Sequence, residues 1–216
     1  MAVMNVNPTR MELTNLKRKL VTARRGHKLL KDKRDELMRQ FLELVKENKA
    51  LREKVENGIK TVNRHMALAS ADMSYESLSV ALMMPFQKLN IDVKNKNVMS
   101  VTVPEFIPDF KSASQGDIYS YGYAFTSGDL DKAVSKLNEI LPDMLRLAEV
   151  EKSCQLLSAE IEKTRRRVNA LEHVMIPDYT DTIKYITMKL DENDRSTTTR
   201  LMKVKDMMLQ NTHNYI

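Results

Sequence analysis

A heptad pattern sustained over about nine repeats constrains this chain more than any other feature of its sequence. Mostly apolar residues recur at alternating steps of three and four, with no proline between the first and the last. These positions are Leu13, Leu16, Leu20, Ala23, His27, Leu30, Arg34, Leu37, Phe41, Leu44, Asn48, Leu51, Val55, Gly58, Val62, His65 and Ala69. The mean period of about 3.5 residues predicts a helix in a left-handed coiled coil. Thr9 and Glu12 have the spacing of a capping box at its start.

A second series with the same steps occupies residues 129–211 and predicts the partner helix. Pro142 and Pro177 lie within it, and each predicts a kink or a helix restart. One extra residue between Met175 and Ile183 predicts a local shift of the apolar seam. The series is Val150, Cys154, Leu157, Ile161, Thr164, Val168, Leu171, Met175, Tyr179, Ile183, Ile186, Leu190, Asn193, Thr197, Leu201, Val204 and Met208.

The segment between the two series is different in composition, with three of the five glycines and three of the six prolines. A short helix is predicted over 75–84, ended by Pro85. Residues 91–103 predict a β-hairpin with its turn in the polar stretch 94–97, and the chain from there to residue 128 is expected to be irregular. The alternating apolar positions of the hairpin are Ile91, Val93, Met99, Val101 and Val103.

Together these patterns predict an all-α dominated fold, a long antiparallel left-handed two-helix coiled coil with a small middle region. The expected boundaries are residues 1–73 for the first helix, 74–128 for the turnaround and 129–216 for the second helix. Two long helices joined by a compact segment bury both seams by folding back on one another. Both termini would then lie at the same end.

Charge is unevenly distributed along the chain, which has a formal net charge of +6. Residues 10–64 contain 17 basic and 8 acidic residues, a net charge of +9, so the remainder carries −3. Such an excess of basic residues suits nucleic acid, anionic lipid or an acidic protein surface. A solvated helix face is the simpler interpretation.

The sequence offers little for catalysis or for metal and cofactor binding. Its single cysteine, Cys154, excludes an intramolecular disulfide framework and fits a reducing compartment. Neither a phosphate-binding loop nor closely spaced histidines and cysteines occur. The longest apolar run of the middle region, 80–86, is too short to cross a bilayer. We therefore expect no catalytic residue, no cofactor, no metal and no direct membrane insertion.

Polar residues occupy some of the seam positions in the first series. His27, Arg34 and Asn48 would lower stability there but discourage sliding of the helices. A seam that is simply wide or splayed at these points explains them equally well. The basic block from Lys17 to Arg34 resembles a DNA-binding basic helix, yet the apolar seam continues through it, which argues against a helix lying in a DNA groove.

Four strings in this chain resemble the D subunit of the V-type and archaeal-type ATPase family, and the resemblance covers nearly the full length. They are PTRMEL at 8–13, ARRGHKLLKDKRDEL at 23–37, VMSVTVP at 98–104 and KTRRRVNALE at 163–172. The second and fourth strings are the most specific. The resemblance implies a non-catalytic central-stalk component that transmits torque between ATP hydrolysis or synthesis and ion translocation.

The resemblance also implies partners and a location. The chain would lie inside a hexamer of A and B subunits, carry the F subunit on its side, and rest on a funnel-shaped subunit above the membrane rotor ring. It would be cytoplasmic and associated with the membrane through that complex. Candidate contacts to the A/B ring are six basic residues of the first helix near the termini, namely Lys17, Arg18, Arg24, Arg25, Lys28 and Lys31. The hairpin is expected near the turnaround, touching the F subunit or the foot and influencing coupling.

Two other classes remain open from the residues alone. A prefoldin-like chaperone also joins two coiled-coil helices through β-hairpins, although with shorter helices. A nucleic-acid-binding coiled coil would require salt-sensitive DNA binding. An enzyme is the most distant of these alternatives.

Overall fold

The computed structural model describes Met4 and residues 6–84, 88–111, 118–122 and 126–213, without the side chains of 110, 111 and 210–213. Two long helical segments flank a two-stranded antiparallel sheet, which confirms the predicted fold class. In chain order the elements are α1 (Arg10–Asp72), α2 (Tyr75–Ala81), β1 (Lys88–Val98), β2 (Val101–Lys111), α3 (Gly128–Ala170), a π-helical turn (Leu171–Met175) and α4 (Ile176–His213).

The first helix, α1, follows the heptad pattern along its whole length. The backbone N–H of Glu12 donates to Oγ1 of Thr9 at 3.2 Å, so Thr9 caps the helix as predicted. All seventeen heptad positions from Leu13 to Ala69 are buried or half-buried. The 3.5-residue period thus identified the inward face of a 63-residue helix.

The chain divides into two compact units. Unit 1 contains Met1–Asp35 and Glu162–Ile216, and unit 2 contains Glu36–Ile161. In each unit part of α1 pairs with part of the C-terminal helical segment. Successive residues along α1 contact residues of decreasing number on the partner helix, so the pairing is antiparallel in both units.

The two prolines of the C-terminal segment have different effects. α3 continues through Pro142 without a break, contrary to a helix restart at that point. Before Pro177 the chain forms the π-helical turn Leu171–Met175, which takes up one extra residue. The seam therefore shifts within Leu171–Met175, before the interval from Met175 to Ile183 in which the shift was predicted. Met175 is exposed, whereas Tyr179 and Ile183 are half-buried.

The short helix and the hairpin both depart from their predicted bounds. α2 begins at Tyr75, capped by the side chain of Ser74, but ends at Ala81. Pro85, predicted to end it, lies outside the described residues. The hairpin spans 88–111 rather than 91–103, so the strand β2 replaces the irregular chain expected after Val103. Residues 112–117 and 123–125 of that stretch lie outside the described residues.

The turn of the hairpin was predicted in the wrong place. Lys94 to Asn97 belong to β1, and the chain reverses at Met99 and Ser100, which have φ values of 50° and 72°. Two central residues with positive φ define a type I′ turn, whose twist matches that of the strands. Oδ1 of Asn97 accepts from the N–H of Ser100 at 2.9 Å, so the polar stretch stabilises the turn from inside the strand.

Unit 2 has two apolar clusters. The first joins the hairpin to the long helices, with Val101 and Val103 against Leu37, Leu157 and Ile161. The second closes the turnaround, where Ala69, Ala81 and Leu130 are buried together. The tip of the hairpin therefore packs on the paired helices about thirty residues of α1 away from the turnaround.

Candidate functional site

Unit 1 carries the positive charge of the molecule. It contains 20 basic and 11 acidic residues, net +9, whereas unit 2 contains 15 and 18, net −3. Six basic side chains on α1 are all exposed, and none is ion-paired to a described residue. We call this set the α1 basic surface, and its members are the ring-contact candidates Lys17, Arg18, Arg24, Arg25, Lys28 and Lys31. Their charge is available to a partner.

Two contacts between side chains of opposite helices lie at the surface of unit 1. Arg10 donates to Asp194 at 2.9 Å, and His27 lies 3.3 Å from Glu172 in the π-helical turn. His27 therefore has a carboxylate partner on the opposite helix, which its seam position did not reveal. Arg34 instead pairs with the adjacent Asp35 on its own helix at 2.7 Å.

Cross-helix contacts in unit 2 fix which residues of α1 and α3 face each other. Both Nε and Nη2 of Arg146 donate to Oε1 of Glu47, at 3.2 and 3.0 Å. Nζ of Lys54 donates to Asp143 at 2.7 Å. The pKa of Arg146 is raised because its two glutamate neighbours outweigh the effect of burial. Sequence patterns could not reveal these pairs, since each helix has many charges at similar spacing.

The turnaround is held by polar contacts around Tyr121. Its hydroxyl donates to Oδ1 of Asp131 at 2.8 Å, and burial together with this carboxylate raises the pKa of Tyr121 well above its ordinary value. Hydrogen bonding from Lys132 lowers the pKa of Asp129, and His65, 3.4 Å away on α1, adds to this effect. The loop is thus tied to α3 through Tyr121, and α3 is tied to α1 through Asp129 and His65.

The hairpin side chains predicted to matter divide into two groups. Val101 and Val103 are buried and Met99 is half-buried, all packed near the tip. Ile91 and Val93 are 42% and 58% exposed. The first group anchors the hairpin, and the second is free to meet a partner.

All but one of the following predicted seam residues are buried or half-buried. Leu16, Leu37, Val168 and Ile186 are buried, whereas Leu201 is 65% exposed. α1 begins opposite Asp194, so it offers no helical turn to cover Leu201. The remaining predicted seam residues are half-buried, namely Leu13, Leu20, Leu30, Phe41, Leu44, Leu51, Leu171, Ile183 and Leu190.

The described residues contain little that could perform catalysis. Burial raises the pKa of the Cys154 thiol, which disfavours the reactive thiolate. Among the residues that the structure describes, no group of three or more His, Cys, Asp or Glu is placed to hold a metal ion. No described helix is both long enough and apolar enough to cross a membrane.

Comparison with known proteins finds a matching family and close relatives of the whole chain. The family model that describes the D subunit of ATP synthase matches residues 12–206. The chain is similar to the V-type ATP synthase D subunit of Acetivibrio thermocellus, 61% identical over 215 residues, covering 100% of this chain and 97% of that protein. The protein of the same name from Clostridioides difficile is 62% identical over 211 residues, 97% of this chain and 94% of that one. That from Clostridium botulinum is 56% identical over 216 residues, 99% of each.

Proposed function

The chain belongs to the family of ATP synthase D subunits, and we propose that it is the central stalk of a rotary V-type ATPase. In this role it has no catalytic residue of its own. It transmits torque between ATP hydrolysis or synthesis in a hexamer of A and B subunits and ion translocation through a membrane rotor ring. Association with the membrane goes through the other subunits of the complex.

The observation that carries this proposal is the set of contacts that locks α1 against its antiparallel partner. A torque-bearing helix pair must not slide in register. Sliding α1 by one heptad in unit 2 would separate Glu47 from Arg146 and Lys54 from Asp143. It would also move Ile140 away from Gly58, where the close approach of the helices leaves no room for a side chain. Slippage is therefore opposed by both packing and electrostatics.

The α1 basic surface supports a contact with the A/B ring. Exposed and unpaired cations near the end that holds both termini form a surface for carboxylates on the surrounding subunits. The family match over 12–206 favours this partner over the prefoldin-like and nucleic-acid-binding alternatives. We place the F subunit on the side of the paired helices and the funnel-shaped subunit at the turnaround.

The hairpin is proposed as a coupling element. Val101 and Val103 at its tip pack against Leu37 and Leu157 of the long helices. Removing the tip would expose this cluster, so a coupling defect should be sought with substitutions on the exposed side of the hairpin.

Rotation of this chain relative to the ring is the direct test. The ring of cognate A and B subunits is fixed to a surface, and a bead is attached to an added cysteine at the exposed residue Val80, after Cys154→Ser. We expect ATP-dependent rotation in one direction. Steady ATP hydrolysis with a stationary bead would overturn the proposal, and so would failure of the chain to assemble with the ring.

A further inference from the structure

The two faces of the β-hairpin differ sharply in charge. Among the residues whose side chains the structure describes, the register places the six charged residues of the two strands on one face and nine uncharged residues on the other. Six of these nine are apolar, although the face is partly open to solvent. This uncharged face consists of Leu89, Ile91, Val93, Asn95, Asn97, Thr102, Pro104, Phe106 and Pro108.

The type I′ turn fixes the direction of each backbone group in the hairpin. Val98 and Val101 flank the two-residue turn and so form a hydrogen-bonded pair. Opposed residues then alternate between hydrogen-bonded and non-hydrogen-bonded pairs. Pro104, opposite Asn95, and Pro108, opposite Ile91, fall at non-hydrogen-bonded pairs. Their missing N–H groups would have pointed away from β1, which is why β2 tolerates both prolines.

The outer edges of the two strands are therefore unequal. On β2 the two prolines remove two of the five outward donors, which is a common way of blocking an edge. On β1 all five outward donors are present, at Leu89, Ile91, Val93, Asn95 and Asn97. Every residue from Asn90 to Asn97 is exposed, whereas β2 contributes the buried Val101 and Val103. β2 is the anchored strand and β1 is the open one.

We propose that the outer edge of β1 pairs with an extended strand of another subunit of the complex, which makes the sheet three-stranded. The proposal rests on the proposed function for the identity of the complex. Main-chain hydrogen bonds give such strand addition its affinity, and alternate side chains give it specificity. On the uncharged face, the added strand needs apolar residues beside Ile91 and Val93.

The face of the hairpin that carries the charged residues indicates which side chains the partner strand has on its other face. Lys94 lies opposite Glu105, but Lys96 lies opposite Val103 and has no carboxylate across the ladder. A strand added outside β1 would place its alternate side chains beside these lysines. Opposite charges in adjacent strands are favourable and like charges are not. The partner strand is therefore apolar on one face and, on the other, acidic beside Lys94 and Lys96.

Amide hydrogen exchange with residue-level fragmentation tests this pattern. The chain is measured alone and after assembly with the cognate A, B, F and funnel-shaped subunits. The outward amides of Ile91, Val93 and Asn95 should exchange rapidly in the free chain and become protected on assembly. The ladder amides of Asp92 and Lys94 should be protected in both states. If the outward amides of β1 still exchange rapidly in the assembled complex, the inference is overturned and the proposed function stands.

A pair of proline substitutions provides the matched variants. Val93→Pro removes an outward donor of β1, and Thr102→Pro removes an outward donor of β2 near the anchored tip. Val93→Pro should weaken incorporation into the complex by about tenfold or more, because a hydrogen bond is lost and the ring clashes with the added strand. Thr102→Pro should change it by less than about twofold. Protected ladder amides at Asp92 and Lys94 would show that the Val93→Pro hairpin is folded.

The remaining outcomes separate the alternatives. Equal effects of the two prolines would overturn strand addition at β1. Concentration-dependent protection of the β1 edge in the isolated chain would also overturn it, because the occupant would be a second copy. Failure of the unaltered chain to assemble would count against the proposed function as well as against this inference.

Discussion

Ile140 of α3 packs directly against Gly58 of α1, so closely that the site has no room for a side chain. A Cβ atom built on Gly58 would lie 2.8 Å from Cγ1 of Ile140. Gly58 does not have a positive φ, so its backbone would suit any residue. Glycine is needed here because the two helices approach closely. Ile140 is itself only 9% exposed and has little space into which to move.

Replacing Gly58 with alanine should destabilise unit 2, by about 1–2 kcal/mol in the free energy of unfolding. Overpacking a filled contact costs about 1–3 kcal/mol, and the better helix propensity of alanine returns up to about 1 kcal/mol. Urea unfolding followed by circular dichroism measures the difference.

Gly26→Ala is the control, because an added Cβ there meets no heavy atom within 4 Å. Only the higher helix propensity of alanine remains, so this variant should be more stable by about 0.5–1 kcal/mol. Two alanine variants on one helix should thus shift stability in opposite directions. Equal shifts would show that Ile140 adjusts and that the close approach has no structural role.

The anchoring of the hairpin predicts a second contrast. Val101→Ala and Val103→Ala remove buried methyl groups from the cluster around Leu37, and each should cost about 1–3 kcal/mol. Val93→Ala on the uncharged face should change stability by less than about 0.5 kcal/mol, because Val93 is already 58% exposed. Urea midpoints measure all three. Similar costs at the three positions would contradict the assignment of the two faces.

The inward faces of the helices could be predicted from the sequence, but the alignment of one helix against the other could not. Heptad spacing is a local property, and all seventeen positions that it marked on α1, from Leu13 to Ala69, are buried or half-buried. Which residue of α3 opposes Gly58 depends on many similar charges and apolar positions, so Ile140 could not be chosen from sequence. The same holds for the pairs that Arg146 and His27 make across the helices.

The hairpin turn was missed for a different reason. Type I′ turns favour glycine and asparagine, so the polar stretch 94–97 was the better local match. Met99 and Ser100 adopt positive φ because the surrounding contacts require the turn there. Val98, Val101 and Val103 can then share one face and pack on the helices. Tertiary packing outweighed the local preference.

Alkaline pH should loosen the turnaround through Tyr121. Its raised pKa means that the native state holds the phenolic proton more tightly than the unfolded chain does. The stability from this group is complete below the ordinary tyrosine pKa of about 10 and is lost as the pH rises through the higher native value. Tyr121→Phe should be less stable at neutral pH by about 1 kcal/mol, since the hydrogen bond to Asp131 is lost.

The variant should also lose less stability above pH ~10, because it lacks the titrating group. Urea unfolding at a series of pH values, with the unaltered chain alongside, isolates the contribution of Tyr121. Parallel curves for the two proteins would mean that Tyr121 ionises as readily in the native state as in the unfolded one. Tyr119, whose ring lies 6.0 Å away, provides Tyr119→Phe as the control.

Reversing charge on the α1 basic surface should weaken assembly with the A/B ring if these cations contact it. Replacing Arg24, Lys28 and Lys31 with glutamate turns three attractions into repulsions, and we expect affinity to fall roughly 10- to 100-fold at low salt. The difference should shrink as ionic strength rises, because the Debye length is only about 10 Å at 0.1 M. Assembly is measured by native mass spectrometry over a salt series.

The matched control reverses three exposed cations of unit 2 that have no described ion pair, Lys60, Arg64 and Lys152, and it should assemble normally. A loss of the same size in both triple variants, or a loss that does not depend on salt, would show that the surface is only a solvated helix face.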